Sequence, residues 1–335
     1  MIKKVIFALM WIIGFSASVS AQSTEVFEGE IELETFENYS DYIKKMPNSI
    51  YFDGVHKIRI IVKGDKMHLI DETTKCHTIA DAGLVDKLLK GEDTGTSPRK
   101  RGSLGAHNAG STAEYAYVHY CEHTKTGMDL TENAPLMLPL LQQDLKYADG
   151  MTSPLSTNTF AATSTTKDIL DTSCKMYEGD INHTMGGMYQ NYHVKAYVSD
   201  TPAPAGLKCA FYGLDVPGVL TKCIIKYDGG HVSTMSIGEM SFYIEMDVTK
   251  ITARQVSDDE FNVPSDYKIS KSSNNAFALM KYYKGIKKEL EKRGVKGGDK
   301  SHLTSSLRHP KILIKEFSYF LMPCHQHGLR INLLV

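Results

Sequence analysis

The stretch GLDVPGVLTKCIIKYDGGHVSTMSIGEMSFYIEMDVTKITARQV, residues 213–256, followed by DDEFNVPSDYKI, residues 258–269, decides how this chain reads. It holds three alternating, strand-like runs broken by glycines, and it closes on a Phe-x-x-Pro-x-x-Tyr punctuation at Phe261, Pro264 and Tyr267. Alternation of apolar and polar residues with a period of two is the pattern of a half-buried strand. No catalytic signature accompanies these runs, so the stretch reads as scaffold.

Working outward, the same pattern recurs. In FEGEIELETF, Phe27, Gly29, Ile31 and Leu33 share one face and Glu28, Glu30, Glu32 and Glu34 the other. Carboxylates lined along one strand converge on nothing, so a solvated face is favoured over a cation site. HKIRIIVKGDKMHLID reads as two strands about a turn at Lys63-Gly64-Asp65-Lys66. TKCHTIAD, EYAYVHYCEH, CKMYEGDI, YHVKAYVSD and LKCAFYG read as further strands. That is roughly ten strands, with a short helix expected from Leu84 and a helix in APLMLPLLQQDLKYAD. In the latter, Leu136, Leu140, Leu141 and Leu145 recur at helical spacing, and Pro139 kinks or delays the helix. That helix packs on the sheet or covers an apolar cavity as a lid. Strands linked mainly by short turns favour a mainly β, antiparallel, open or barrel-like sheet over α/β. Residues 91–111 and 150–167, rich in Gly, Ser and Thr, read as mobile loops.

The first 21 residues, MIKKVIFALMWIIGFSASVSA, read as an export signal: two lysines, an apolar core too short to span a bilayer, and Val19-Ser20-Ala21 as the cleavage site. The mature domain is expected over 22–270, exported to the periplasm or beyond. The remainder, 271–335, is expected as a basic extension, helical in SNNAFALMKYYKGIKKELEKRG and then patternless. It carries 13 Lys and Arg against 4 Asp and Glu, a net of +9, whereas residues 22–270 hold 23 against 35, a net of −12. An acidic domain argues against nucleic acid as partner. The six cysteines, Cys76, Cys121, Cys174, Cys209, Cys223 and Cys324, permit three bridges in an exported chain, with 15 possible connectivities.

Other candidate chemistry is sparse. Ser164-Thr165-Thr166-Lys167 matches Ser-x-x-Lys without its companion motifs. Cys324-His325-Gln326-His327 offers three soft-metal ligands in a terminal stretch, where a solvated tail is favoured. Cys121, Glu122 and His123 alternate faces and share no metal easily; Met235, on one strand face with His231, reads as core. Asn38-Tyr39-Ser40 and Asn182-His183-Thr184 match glycosylation sequons and are set aside with a bacterial-type export signal. The 18 tyrosines suit rims and cavities, where the ring is buried and the hydroxyl wet. No cofactor, metal or catalytic residue is expected.

The order of FEGEIELETF, VHKIRIIVKGDKMHLID, CKMYEGDI, HVKAYVSD, GLDVPGVLTKCIIKYDGG and FNVPSDYKI resembles a secreted, Bacteroidota-type family of unknown function in the LolA/LolB-like superfamily of periplasmic lipoprotein carriers. Members carry a Cys-x-x-Tyr, here Cys174 and Tyr177, and end on the motif seen at Phe261, Pro264 and Tyr267. The resemblance covers roughly residues 26–269. It implies a curved, incomplete antiparallel β-barrel with a few covering helices and an apolar space that shelters a lipid, acyl chain or lipidated partner, with no catalytic residues. Leu136, Leu140 and Leu141 are then expected in the cover. The alternative is a structural or protein-interaction module of the envelope whose barrel is filled by its own side chains.

Overall fold

A computed structural model describes residues 25–45, 50–90, 115–141, 157–185, 188–229, 231–232, 235–236, 240–271 and 276–298. The strands of the first half are β1 (Gly29–Tyr39), β2 (Gly54–Lys63), β3 (Lys66–Asp71), β4 (Cys76–Asp81), β5 (Tyr117–Cys121) and β6 (Thr126–Asp129). Those that follow are β7 (Thr157–Asn158), β8 (Ala161–Ile169), β9 (Thr172–Met185), β10 (Met188–Pro202), β11 (Gly218–Gly229), β12 (His231–Val232), β13 (Met235–Ser236), β14 (Ser241–Ala253) and β15 (Lys268–Lys271).

Thirteen of these form one sheet in the order β15-β6-β5-β4-β3-β2-β1-β14-β11-β10-β9-β7, with β8 also on β9. The end strands do not pair, so the barrel is incomplete, and the fold is mainly β as expected. Every pairing is antiparallel except β15 on β6, which is parallel. The turn at Gly64-Asp65 sits where the sequence puts it, with Lys63 opposite Lys66.

The sheet is strongly curled. β1 and β10 are separated by β14 and β11, three strand spacings, or about 14 Å in a flat sheet. Yet the Phe27 amide bonds the Pro202 carbonyl at 3.1 Å, and the Gly206 amide bonds Gly64 of the β2–β3 turn at 2.8 Å. The concave face encloses the main core, in which Ile31, Ile60, Val194, Leu220, Ile225 and Ile244 are buried. The convex face of β2–β5 is also covered. Chain from Val256 to Ile269 crosses it, and Ile61, Ile70, Ile79, Val118, Val256, Phe261 and Tyr267 form a second cluster. Phe261 and Tyr267 are thus buried anchors of a strap, and Pro264 accepts the Tyr267 amide at 3.2 Å in its turn.

The glutamate face of β1 holds this strap and β14. Glu30 meets Arg254 at 3.2 Å, Glu32 meets Lys250 at 2.8 Å, and Glu28 accepts the Val256 amide at 2.7 Å. Ser257 and Glu260 then form a capping box that starts the short 3-10 turn Asp258–Phe261.

Four expectations are corrected. LKCAFYG is not a strand: Leu207–Ala210 is one helical turn that ends on positive φ at Tyr212 and Gly213. Seven apolar-leaning residues do not distinguish strand from buried helix by periodicity. Residues 150–167 are not all loop, because Ala161–Ile169 is an edge strand on β9. Its threonines suit a pleated surface even with almost no burial. The helix expected in APLMLPLLQQDLKYAD is confined to Ala134–Met137. Pro139 pushes Leu138 out of the helical region, to φ −121 and ψ 61. Of the three runs in 213–256, two are the long strands β11 and β14, and the residues between them supply a separate two-stranded sheet, β12-β13. The short helix expected from Leu84 is present as Ala82–Leu89, capped by Asp81.

The helix Ala276–Lys292 lies beyond the boundary drawn at 270, yet packs on the domain through Ile286 and Leu290. Lys287 donates to the Lys44 carbonyl at 2.6 Å, and Gly298 bridges to Val55. No helix among the described residues is long and apolar enough to cross a membrane. The export segment 1–21, the loop 91–111 and the Cys324-His327 cluster lie outside the described residues.

Gly206 is where the curl is held. A Cβ there would lie 2.5 Å from the Lys66 carbonyl oxygen, a backbone atom that cannot swing aside. Gly206→Ala is expected to destabilise the fold by about 1–3 kcal/mol, read as a lower urea midpoint at unchanged m-value; an unchanged midpoint would show that this contact does not hold the curl.

Candidate functional site

Among the described residues, the concave face holds a cavity of about 170 Å³. Its apolar wall comes from alternate positions on adjacent strands: Leu33 of β1, Ile58 and Ile60 of β2, Leu69 of β3 and Met246 of β14. Ala210 and Tyr212 close it from the turn after β10, and Ile50 from the turn before β2. At the other end stand Thr35, Glu37, Asp71, Thr78 and His119.

Glu37, His56 and Asp71 form the polar end. His56 faces Thr35 across β1–β2 and is buried. Its Nδ1 lies 3.5 Å from Asp71, its Nε2 lies 3.1 Å from the Phe52 carbonyl, and Glu37 stands 3.9 Å away. Burial alone would depress the His56 pKa, but the Asp71 hydrogen bond, the Glu37 and Asp71 charges and the Phe52 carbonyl outweigh it and raise it to about 9. Both ring nitrogens therefore donate, and the group is an imidazolium at neutral pH. Burial raises the Glu37 pKa against the opposing pull of His56 and of the Tyr39 hydroxyl, which donates to it at 2.9 Å. Asp71 is half-buried, and despite the desolvation His56 and Thr74 hold its carboxyl below the usual range. It caps its own turn by accepting from the Thr73 and Thr74 amides and the Thr74 hydroxyl.

The helix Ala276–Lys292 packs behind the cavity wall, against Cys76 and His119. The Tyr282 hydroxyl donates to the His119 carbonyl at 3.0 Å, so its single proton is committed. His119 Nδ1, 2.8 Å from the same oxygen, must then carry the ring proton. Burial depresses the His119 pKa to about 4, keeping the ring neutral. On the convex face a second polar chain runs beneath the strap. His68 reaches the Glu260 carbonyl at 2.7 Å and His77 at 3.0 Å, and His77 meets Glu122 at 2.9 Å. Tyr120 stacks on His77 with ring centroids 4.6 Å apart. Burial drives His68 down to about 4.

The residues singled out from sequence fall around the cavity rather than in it. Leu140 and Leu141 are buried core, not helical, and do not line the space. They act one layer back: the Leu140 amide holds the Tyr212 carbonyl at 2.8 Å. Gly213, at φ +89, lets Leu141 approach to where a Cβ would lie 2.8 Å from it. The Leu136 side chain, and those of His231 and Met235, lie outside the described residues. Cys174 is buried in β9, accepting from the Thr221 hydroxyl at 3.3 Å, and Tyr177 packs on Phe160 at the sheet edge. Ser164 to Lys167 lie in the exposed edge strand β8. Among the described residues no cluster of His, Cys, Asp and Glu has the arrangement of a metal site.

The sequence reading missed Glu37, His56 and Asp71. A signal for them exists. Each continues the apolar parity of its strand: Leu33-Thr35-Glu37, His56-Ile58-Ile60, and Met67-Leu69-Asp71. A titratable residue at a core-facing position of a strand marks a buried polar site.

No family model, curated protein or solved structure matches the chain.

The histidines give stability a two-sided pH dependence. His68 and His119, lowered from 6.5 to about 4, bind protons more readily unfolded, so stability rises with pH between about 4 and 6.5. His56, raised from 6.5 to about 9, contributes stability that is fully present below about 6.5 and lost as pH rises through about 9. Melting temperature is expected to peak near pH 6.5, and His56→Gln to flatten the alkaline limb while leaving the acid limb. An alkaline limb of the same slope in the variant would refute the buried imidazolium.

Proposed function

We propose that this chain is an exported, non-enzymatic binding protein whose concave face takes the apolar portion of a lipid, acyl chain or comparably apolar ligand. The observation that carries the reading is the 170 Å³ cavity, walled by Leu33, Ile58, Ile60, Leu69 and Met246 inside an open, curled sheet. An apolar cavity of about 150 Å³ accepts benzene, so this one suits about six carbons. Six methylenes at ~0.8 kcal/mol each give roughly 5 kcal/mol, which supports weak, reversible binding of a chain end or a compact ring. A longer acyl chain would insert its end and leave the rest outside. The resemblance of the motif order to a family of unknown function in the LolA/LolB-like superfamily points the same way.

The polar end supports a binding role over chemistry. A general base needs a free lone pair. His56 faces acceptors with both nitrogens and Asp71 is saturated by its own turn and His56, so neither offers one, and Glu37 is tied by one bond on each oxygen, from Thr35 and Tyr39. These groups hold β1, β2 and β3 in register around the cavity. The export signal and the envelope location belong to the same proposal.

One observation favours a second reading, a protein-interaction module of the envelope: most of the concave face is filled by the chain's own core. Titration with the fluorophore 1-anilinonaphthalene-8-sulfonate, displaced by hexanol, octanoate or palmitate, separates the two. Binding is expected, strongest per carbon for the six- to eight-carbon ligands, and at least tenfold weaker in Ile58→Trp, whose indole fills the cavity while circular dichroism stays unchanged. Absence of titratable binding, or equal affinity in the variant, would remove the ligand reading and leave the module.

A further inference from the structure

Cys76 opens β4, Cys121 closes β5, and the two are direct register partners in that antiparallel pair. The Glu122 amide donates to the Lys75 carbonyl at 3.0 Å, so the cysteine pair occupies a non-hydrogen-bonded position of the ladder. At such positions opposite Cα atoms stand about 4.5 Å apart with side chains facing each other, within the separations that disulfides span. Both side chains are buried in one cluster with Ile286 and Leu290 of the last helix. The Cys76 thiol donates to the Thr74 carbonyl at 3.8 Å. The other described cysteines face different residues across their ladders: Cys223 lies opposite Ala196 and Met246, and Cys174 opposite Ser199 and Lys167. Cys209 lies in the main core.

We propose that Cys76 and Cys121 are a disulfide-forming pair, closed by exchange with an external disulfide. The Cys76 thiol keeps its proton on the Thr74 carbonyl, so Cys121 loses its proton first and attacks one sulfur of that disulfide, and the first thiol leaves with a proton. Cys76 then attacks the Cys121 sulfur of the mixed disulfide, and the second thiol leaves with the Cys76 proton. Two electrons pass from the pair to the external disulfide, one S–S bond breaks and one forms. The helix Ala276–Lys292 covers both sulfurs, so exchange precedes its docking, and the docked helix then shields the bond. The bridge would tie β4 to β5 at the wall of the cavity, where Cys76 lines the space. This inference rests on strand register and holds whatever the cavity binds.

The test uses the full chain, unfolded in urea with reductant and refolded by dilution into oxidised glutathione. Free thiols are then alkylated in urea and peptides mapped without reduction. The expected product is the Cys76 peptide joined to the Cys121 peptide, two hydrogens lighter than the sum, with a higher melting temperature than the reduced chain. In Cys76→Ser, Cys121 is expected to accumulate as the glutathione mixed disulfide. Recovery of both cysteines alkylated, or of either joined to a different cysteine, would overturn the pair. Lack of the adduct in Cys76→Ser would overturn Cys121 as the attacking sulfur.

Discussion

The curl of the sheet depends on one close approach, the docking of the turn after β10 against the β2–β3 turn. The Gly206 amide reaches the Gly64 carbonyl, and the Gly206 Cα sits where any side chain would strike the Lys66 backbone. Three consequences follow from that contact. The β9–β11 half folds over the β1–β5 half, so their apolar faces share one core. The turn Leu207–Gly213 is carried inward, and Tyr212 becomes a wall of the cavity. Phe27, at the entry to β1, is drawn to Pro202 and closes the bottom of the curl. An open sheet that stayed flat would bury its concave residues against nothing.

The two halves of the sheet differ in how they use their faces. From β9 to β14 one face is core, and charged pairs such as Lys222 with Asp247 lie on the other. From β2 to β5 both faces are covered, by the core within and the strap without. β4 shows it most plainly, since every residue from Cys76 to Ala80 is buried. A strand buried on both sides has no wet face on which to place polar groups. His68, His77 and His119 are therefore hydrogen-bonded internally, as buried polar groups must be. The strap is part of the fold in the same sense, because removing it would bare Ile61, Ile70 and Ile79.

Most strands were legible because half-buried strands advertise themselves. β1 alternates glutamate with apolar residues over its first half, and the β2–β3 turn places glycine between two lysines. Legibility fell where the period is hidden. β8 has almost no burial, so no alternation marks it. Leu207–Ala210 is a single turn, too short to show a period of 3.6. The strap was read as an ending because Phe261, Pro264 and Tyr267 punctuate the sequence; its return across the convex face is a tertiary fact that no local pattern carries. The cavity's polar end was legible in principle, through the parity of Glu37, His56 and Asp71, but each is a single residue at the end of an otherwise apolar run. Leu140 and Leu141 were expected in the cavity cover; that they brace Tyr212 rather than line the space depends on Pro139 and Gly213 together.

The polar end also limits what the cavity can admit. Burying an unpaired charge is costly, and a buried ion pair is tolerated only when its remaining hydrogen bonds are met. Here they are met before any ligand arrives, with the imidazolium between Asp71, Phe52 and Glu37 and the carboxylates capped by Thr35, Tyr39, Thr73 and Thr74. A ligand head group entering that end would have to displace bonds already made, for little net gain. An apolar group entering the Leu33–Ile58–Leu69 side displaces only water. The polar trio therefore stiffens β1–β3 as a wall, and on the proposed reading a guest enters apolar end first and is selected by the shape of the apolar space rather than by a salt bridge.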